Sequence, residues 1–152
     1  AEEPVILGAL ESQGVRAIID RLIPADSDPG AVALGIDEQI VEQVAASPSK
    51  LADLRAALRA LDAAAQRLGG ERFAALDPEQ QDELLRRWQR NDLPAAEGAG
   101  TAAPQIFRQL RADVVAAYYR DPRVWPLVGY PGYSMPHGYP DGGPCGARLE
   151  ER

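Results

Sequence analysis

The chain has 152 residues, of which 45% are hydrophobic, enough for the core of one domain and too many for a chain that is disordered throughout. Its 23 acidic side chains outnumber the 16 basic ones, and the resulting net charge of -7 repels phosphate backbones and argues against nucleic-acid binding. The longest apolar runs, such as Val5–Leu10, fall far short of the roughly 20 residues of a membrane-spanning helix, so we expect a soluble protein without a direct membrane span.

The first two predicted helices each have apolar residues spaced for one helical face. In the first helix these residues are Val15, Ile18, Ile19 and Leu22. Pro24 ends this pattern and opens a turn-rich segment that continues to Gly35. Asp37 is then the predicted N-cap of a second helix. The apolar residues of this second helix are Ile40, Val41 and Val44.

The third and fourth predicted helices have the clearest local signals. The apolar stripe of the third helix comprises Leu51, Leu54, Leu58, Leu61, Ala65 and Leu68. Gly69 and Gly70 stop this helix. The fourth helix is predicted to begin with Asp77 as its N-cap and Pro78 in its first position. Its residues Leu84, Leu85 and Trp88 face one way.

A fifth helix is predicted after a loose connector, with Thr101 as its cap. Its apolar stripe comprises Ile106, Phe107, Leu110, Val114, Ala117 and Tyr118. Asp121 and Pro122 end it. Because no alternating run is long enough for a sheet, the prediction is an all-α fold: a compact bundle of about five helices over residues 1–122. Residues 123–152 are predicted to form an extended C-terminal arm rich in aromatic residues, proline and glycine.

The predicted helical domain lacks the residue combinations that catalysis and metal binding require. The chain has one histidine, His137, and one cysteine, Cys145, both in the arm. A Cys/His dyad needs a rigid pocket, so an enzyme with these two catalytic residues is the least favoured interpretation, and the pair falls short of a zinc site. Asp26 and Asp28 resemble the start of a calcium loop, but Gly30 takes the third ligand position, so we interpret them as turn residues.

The predicted arm is too apolar for a flexible linker and too broken by proline and glycine to fold alone. Its large apolar residues are Trp125, Leu127, Val128, Tyr130, Tyr133, Met135 and Tyr139. Two interpretations remain open: the arm packs back over the helices, or it lies against another protein, where Trp and Tyr are favoured anchors. In an exported protein the unpaired Cys145 predicts a free thiol or a disulfide to another chain, whereas in a cytosolic protein the thiol is incidental.

Three stretches of the sequence resemble a known family. They are "IIDRLIPADSDPGAVALGIDEQIVEQV", "LRALDAAAQRLGGERFAALDPEQQDELL" and "YYRDPRVWPLVGYPGY". Together they are similar to the gluconate 2-dehydrogenase subunit 3 family, from about Val15 to Tyr133. The most specific parts are residues 21–31 and the positions around Trp125 and residues 129–132.

The resemblance implies a non-catalytic small subunit of a bacterial FAD-dependent sugar or polyol dehydrogenase. In this family the flavin and the catalytic residues belong to a large partner of the glucose-methanol-choline oxidoreductase type, and a multihaem cytochrome c subunit often accepts the electrons. The resemblance also implies a periplasmic location after twin-arginine export, with the small subunit escorting the large one. A twin-arginine signal is absent from this sequence, which fits a processed or trimmed chain.

The physical argument and the resemblance together predict that the arm docks on the large flavoprotein subunit. The predicted partner-binding residues are Trp125, Tyr130, Pro131, Gly132, Tyr133, Met135 and Tyr139. Cys145 is the candidate for an intersubunit disulfide, which an oxidising periplasm permits. No catalytic, cofactor-binding or metal-binding residue is predicted in this chain. The alternative is a free-standing periplasmic helical binding module whose tail packs on its own core.

Overall fold

The computed structural model describes residues 7–93 and 103–129 of the chain. Over these ranges it contains five α-helices and three short 3₁₀ helices, and no β-strand. The α-helices are α1 (Ala9–Leu22), α2 (Ile36–Ala45), α3 (Pro48–Arg67), α4 (Pro78–Gln89) and α5 (Ala103–Arg120). The 3₁₀ helices span Val32–Leu34, Phe73–Ala75 and Trp125–Val128. The predicted all-α class with five helices is confirmed.

The chain divides into two units between Tyr118 and Tyr119. The first unit contains α1 to α4 and all but the end of α5. The second unit begins with the last two residues of α5, and its described part continues through a 3₁₀ helix to Gly129. The predicted domain boundary after residue 122 and the extended form of the arm stay predictions, because residues 130–152 lie outside the described ranges.

The core of the first unit is formed by the apolar stripes of its helices. α1 packs against α2, α3 and α4, and α3 also packs against α2 and α4. The largest fully buried side chains of this core include Ile18, Ile19, Ile36, Ile40, Leu61, Phe73, Leu84, Trp88 and Val114. Most of the predicted stripe residues are therefore buried, and Leu22, Val41 and Ile106 are half-buried.

Leu68 departs from the predicted stripe of α3, because its side chain is 46% exposed. The helix ends one residue earlier, at Arg67, and the backbone turns at Gly69, which has a left-handed φ of 86°. That conformation suits glycine because a Cβ atom would be strained there. Leu68 therefore lies in the helix-ending turn, where the periodicity of the helix no longer holds.

Two predicted helix starts have different outcomes. Asp77 is the N-cap of α4, because its Oδ1 accepts a hydrogen bond from the Gln80 backbone N–H at 2.9 Å. The prediction for Asp37 is wrong: α2 begins at Ile36, and its N-cap is Gly35, with a left-handed φ of 74°. Asp37 instead lies in the first turn, where its charge is favourable at the positive end of the helix dipole. The predicted cap Thr101 lies outside the described residues.

The segment between α1 and α2 is a loop closed by hydrogen bonds. The Ala31 N–H donates to the Ile23 carbonyl at 3.0 Å and closes the loop at its base. At its exposed tip, the Asp28 N–H donates to Asp26 Oδ1 at 2.8 Å, which confirms the interpretation of these aspartates as turn residues. The Tyr118 hydroxyl of α5 donates to the Pro29 carbonyl at 2.9 Å and fastens the loop to the helical core.

Replacing Gly30 with alanine is expected to lower the free energy of unfolding by about 1–3 kcal/mol. A Cβ atom at this position would lie 2.6 Å from the Ala25 backbone nitrogen and 3.0 Å from the Ile23 oxygen, so backbone must move. Urea denaturation measures the effect. Gly8→Ala is the matched control, because its Cβ would meet only Glu11 Oε2, at 3.8 Å. Equal stability of the two variants would contradict the prediction.

A bidentate salt bridge joins α1 to α4. Arg21 Nε lies 2.8 Å from Asp82 Oδ1, and the Arg21 terminal nitrogen lies 2.9 Å from Oδ2. Both side chains are half-buried. The hydrogen bonds from Arg21 hold the pKa of the Asp82 carboxyl below its ordinary value. The two parallel hydrogen bonds between Arg21 and Asp82 make this pair stronger than a typical exposed ion pair.

Replacing Asp82 with asparagine is expected to lower the free energy of unfolding by about 1 kcal/mol at pH 7. A carboxyl whose pKa is depressed in the folded state stabilises the fold above its unfolded pKa, about 3.9, and this stabilisation is lost as the pH falls through the folded value. The difference between wild type and D82N should therefore disappear in acid. Thermal unfolding between pH 7 and pH 2.5 measures it, with exposed Glu42→Gln as the control. A difference that persists in acid would contradict the role of the charge.

Candidate partner-binding site

The candidate site begins where α5 ends, at Arg120. Pro122 follows two residues later and cannot continue the helix, because it lacks an N–H group. Asp121 Oδ1 accepts hydrogen bonds from the backbone N–H and the Nε of Arg123, both at 2.9 Å, and Oδ2 lies 2.6 Å from a terminal nitrogen of Arg123. These hydrogen bonds lower the pKa of the Asp121 carboxyl. The pair therefore holds the turn that follows the helix.

A short 3₁₀ helix, Trp125–Val128, carries the first predicted anchor. It ends at Gly129, which has a left-handed φ of 72°. The Trp125 indole N–H donates to the Tyr119 carbonyl at 3.1 Å. Tyr119 is in the last turn of α5, where backbone carbonyls have no partner within the helix. The indole therefore caps a helix end and lies half-buried against it.

Three large apolar side chains in the segment from the last turn of α5 to the end of the 3₁₀ helix face solvent. The exposed fraction is 52% for Tyr119, 45% for Leu127 and 55% for Val128. Burial of apolar surface is favourable by roughly 25 cal/mol per Å², so a partner that covers these side chains gains binding energy. Apolar and aromatic side chains of this kind are enriched in the cores of protein interfaces. Apolar docking is therefore the chemistry that the segment supports.

A family comparison identifies what kind of protein carries this segment. The model of gluconate 2-dehydrogenase subunit 3 matches residues 9–132, from the start of α1 through the 3₁₀ helix that contains Trp125. The chain belongs to the gluconate 2-dehydrogenase subunit 3 family. The family name indicates a subunit of a gluconate 2-dehydrogenase complex, and the resemblance seen in the sequence is confirmed. No curated protein and no solved structure matches the chain.

The structure of this subunit 3 protein describes only one of the predicted partner-binding residues, Trp125. The other six lie outside the described residues: Tyr130, Pro131, Gly132, Tyr133, Met135 and Tyr139. The same holds for His137 and for Cys145. Their roles stay predictions.

Sequence reasoning did not select Tyr119, Leu127 or Val128 as anchors, although their exposure makes them candidates. Leu127 and Val128 entered the sequence analysis only as part of the apolar content of the arm. Proline interrupts the regular spacing of apolar residues there, so the sequence does not show which side chains face solvent. Tyr119 has a usable signal. It follows Tyr118, the last residue of the buried stripe, and so falls off the core-facing side of α5.

Among the residues that the structure describes, no group of three or more His, Cys, Asp and Glu side chains is placed to hold a metal ion. None of the described helices combines the length and the apolar character needed to cross a membrane.

Proposed function

We propose that this protein is the non-catalytic small subunit of a sugar or polyol dehydrogenase complex and binds its large FAD-containing subunit. One observation carries the proposal: the family match extends without interruption from α1 through the segment that exposes Tyr119, Leu127 and Val128. Because the family name indicates a dehydrogenase subunit, exposed apolar groups in the matched region favour a contact with another subunit. The large subunit is of the glucose-methanol-choline type in this proposal.

The arm supplies the contact in this proposal. Trp125 is its first anchor, followed by the predicted anchors Tyr130, Tyr133, Met135 and Tyr139, with Pro131 and Gly132 forming a turn between them. Aromatic side chains suit this role because each buries a large area with little loss of rotamer freedom. Cys145 forms a disulfide with the large subunit in the oxidising periplasm.

The small subunit supports the flavoprotein and performs no chemistry of its own in this proposal. It keeps the large subunit folded during twin-arginine export to the periplasm and remains bound to it afterwards. The FAD belongs to the large subunit, and a multihaem cytochrome c subunit receives the electrons. Support comes from the family match and from the scarcity of catalytic residue types in the sequence, with one histidine and one cysteine.

Affinity purification of the tagged chain from its native host tests the proposal. We expect a yellow preparation with a second, large chain on a denaturing gel and the absorption of a flavin, and a haem Soret band if the cytochrome is retained. The matched control is the same chain with Leu127→Asp and Val128→Asp, which places charges on the exposed apolar side chains and should lose the large chain. A colourless monomer from the wild-type chain would favour the free-standing helical binding module instead.

A further inference from the structure

The outward face of α5 carries a row of side chains that point away from the core. Its members follow one another at spacings of three, four and four residues: Arg108, Arg111, Val115 and Tyr119. Both arginines are exposed, and the exposed fraction is 36% for Val115 and 52% for Tyr119. The opposite side of the helix is formed by buried residues: Phe107, Leu110, Val114, Ala117 and Tyr118. The outward row therefore ends at a side chain of the candidate site, Tyr119.

The charges of α5 are divided between its faces. Asp113 is the only carboxylate of the helix, and it already has partners. Lys50 Nζ of α3 lies 3.4 Å from Asp113 Oδ2, and Gln109 Nε2 donates to Oδ1 at 3.0 Å. Arg108 and Arg111 form neither a salt bridge nor a hydrogen bond with any described residue. The outward face thus combines two unpaired positive charges with apolar side chains.

A protein surface with carboxylates beside apolar groups complements this face. A guanidinium donates two parallel hydrogen bonds to a carboxylate, which fixes the geometry of the contact. An anionic membrane is a poorer complement, because lipid-binding segments carry roughly four to eight basic residues. Such an extended surface also meets the net charge of -7, whereas a small acidic patch interacts mainly with charges within a Debye length, about 8–10 Å.

We propose that the outward face of α5 is a second part of the contact with the large subunit, and that Arg108 and Arg111 pair there with Asp or Glu carboxylates of that subunit. This inference rests on the proposed function. Val115 lies one turn before Tyr119, and the row from Arg108 to Tyr119 is about 17 Å long. A standard interface buries about 800 Å² per partner, a patch about 30 Å across, so one partner covers the whole row.

The large chain that copurifies with the tagged protein is the probe for this proposal. Changing Arg108→Glu together with Arg111→Glu should raise its Kd about tenfold at about 50 mM NaCl, mainly through slower association. Because salt screens exposed charges, the difference should fall to about twofold at about 500 mM NaCl. Changing both residues to lysine keeps the charges and should leave Kd within about threefold of wild type.

The matched control is Arg16→Glu together with Arg59→Glu. It changes the net charge by the same amount, at exposed arginines of α1 and α3, and should bind like the wild-type chain. All four positions are exposed within helices, where arginine and glutamate have similar helix propensities, so each variant should fold. Circular dichroism measures the helix content.

Three results would overturn the proposal while the wild-type chain still binds the large subunit. The first is an equal Kd for the α5 glutamate variant and the control. The second is a loss of affinity that persists undiminished at about 500 mM NaCl, which would assign the arginines a structural role. The third is binding of the isolated chain to phosphatidylglycerol vesicles that the α5 glutamate variant loses, which would assign the face to a membrane. A wild-type chain that binds no large subunit would instead overturn the proposed function, and this inference with it.

Discussion

Replacing Trp88 with alanine is expected to lower the free energy of unfolding by about 3–5 kcal/mol, the largest effect of any single change considered. The side chain is 1% exposed, and its ring packs edge-on against Phe107 with 5.0 Å between the ring centroids. The contact joins α4 to α5, so its loss leaves a cavity between two helices. Urea and thermal denaturation of the purified chain measure the change. This loss is a large fraction of the roughly 5–15 kcal/mol by which a folded domain is stable.

Trp88→Phe is the matched variant for this prediction. The indole N–H of Trp88 is buried and has no hydrogen-bond partner among the described residues. Phenylalanine keeps an aromatic ring against Phe107 and removes a donor that is desolvated without compensation. We expect it to cost about 1–2 kcal/mol, well below the cost of alanine. Equal losses for the two variants would contradict this account.

Replacing Trp125 with alanine is expected to weaken binding of the proposed large flavoprotein subunit by about 2 kcal/mol, which is roughly a 30-fold rise in Kd. The substitution removes a half-buried aromatic ring and the hydrogen bond from its N–H to the Tyr119 carbonyl. Both effects release the 3₁₀ helix that carries Leu127 and Val128. Titration of the purified large subunit with the variant chain measures Kd.

Two controls separate a lost anchor from a lost fold. Leu68→Ala removes a large apolar side chain that is 46% exposed in the first unit, and it should leave Kd unchanged. Trp125→Phe keeps an aromatic ring but loses the hydrogen bond, so its Kd should lie between those of wild type and alanine. Circular dichroism should give the same helix content for all variants. A Trp125→Ala chain that binds like wild type would remove this residue from the interface.

Local sequence signals were sufficient to predict a helix start where the capping residue and the groups that it binds lie within one turn of the chain. Asp77 followed by Pro78 predicts the start of α4, because a side-chain acceptor and a fixed φ act within four residues. Asp37 has the same residue type before an apolar stripe, yet the N-cap of α2 is Gly35. The backbone there already turns at Gly35 through a left-handed conformation, which places the first helical residue before the aspartate.

The candidate site stays a prediction in its residues, of which the structure describes only Trp125. Aromatic residues among prolines and glycines indicated a segment too apolar for a linker and too broken to fold alone, and together with the family resemblance this predicted Trp125 as an anchor. The exposure of Leu127 and Val128 could not be predicted in the same way. Whether an apolar side chain outside a regular helix faces solvent depends on how the turn before it folds, and here the Asp121–Arg123 pair shapes that turn.

The sequence by itself determined the class of this protein: its helices, the faces they bury and its family. These features follow from spacing along the chain, since a helix brings residues three and four apart onto one side. Only the tertiary structure decided which distant groups meet. Arg21 and Asp82 are 61 residues apart, and Tyr118 and Pro29 are 89 apart. Such pairs depend on how the helices pack, because many arrangements bury the same apolar stripes and only one brings these polar groups within hydrogen-bond distance.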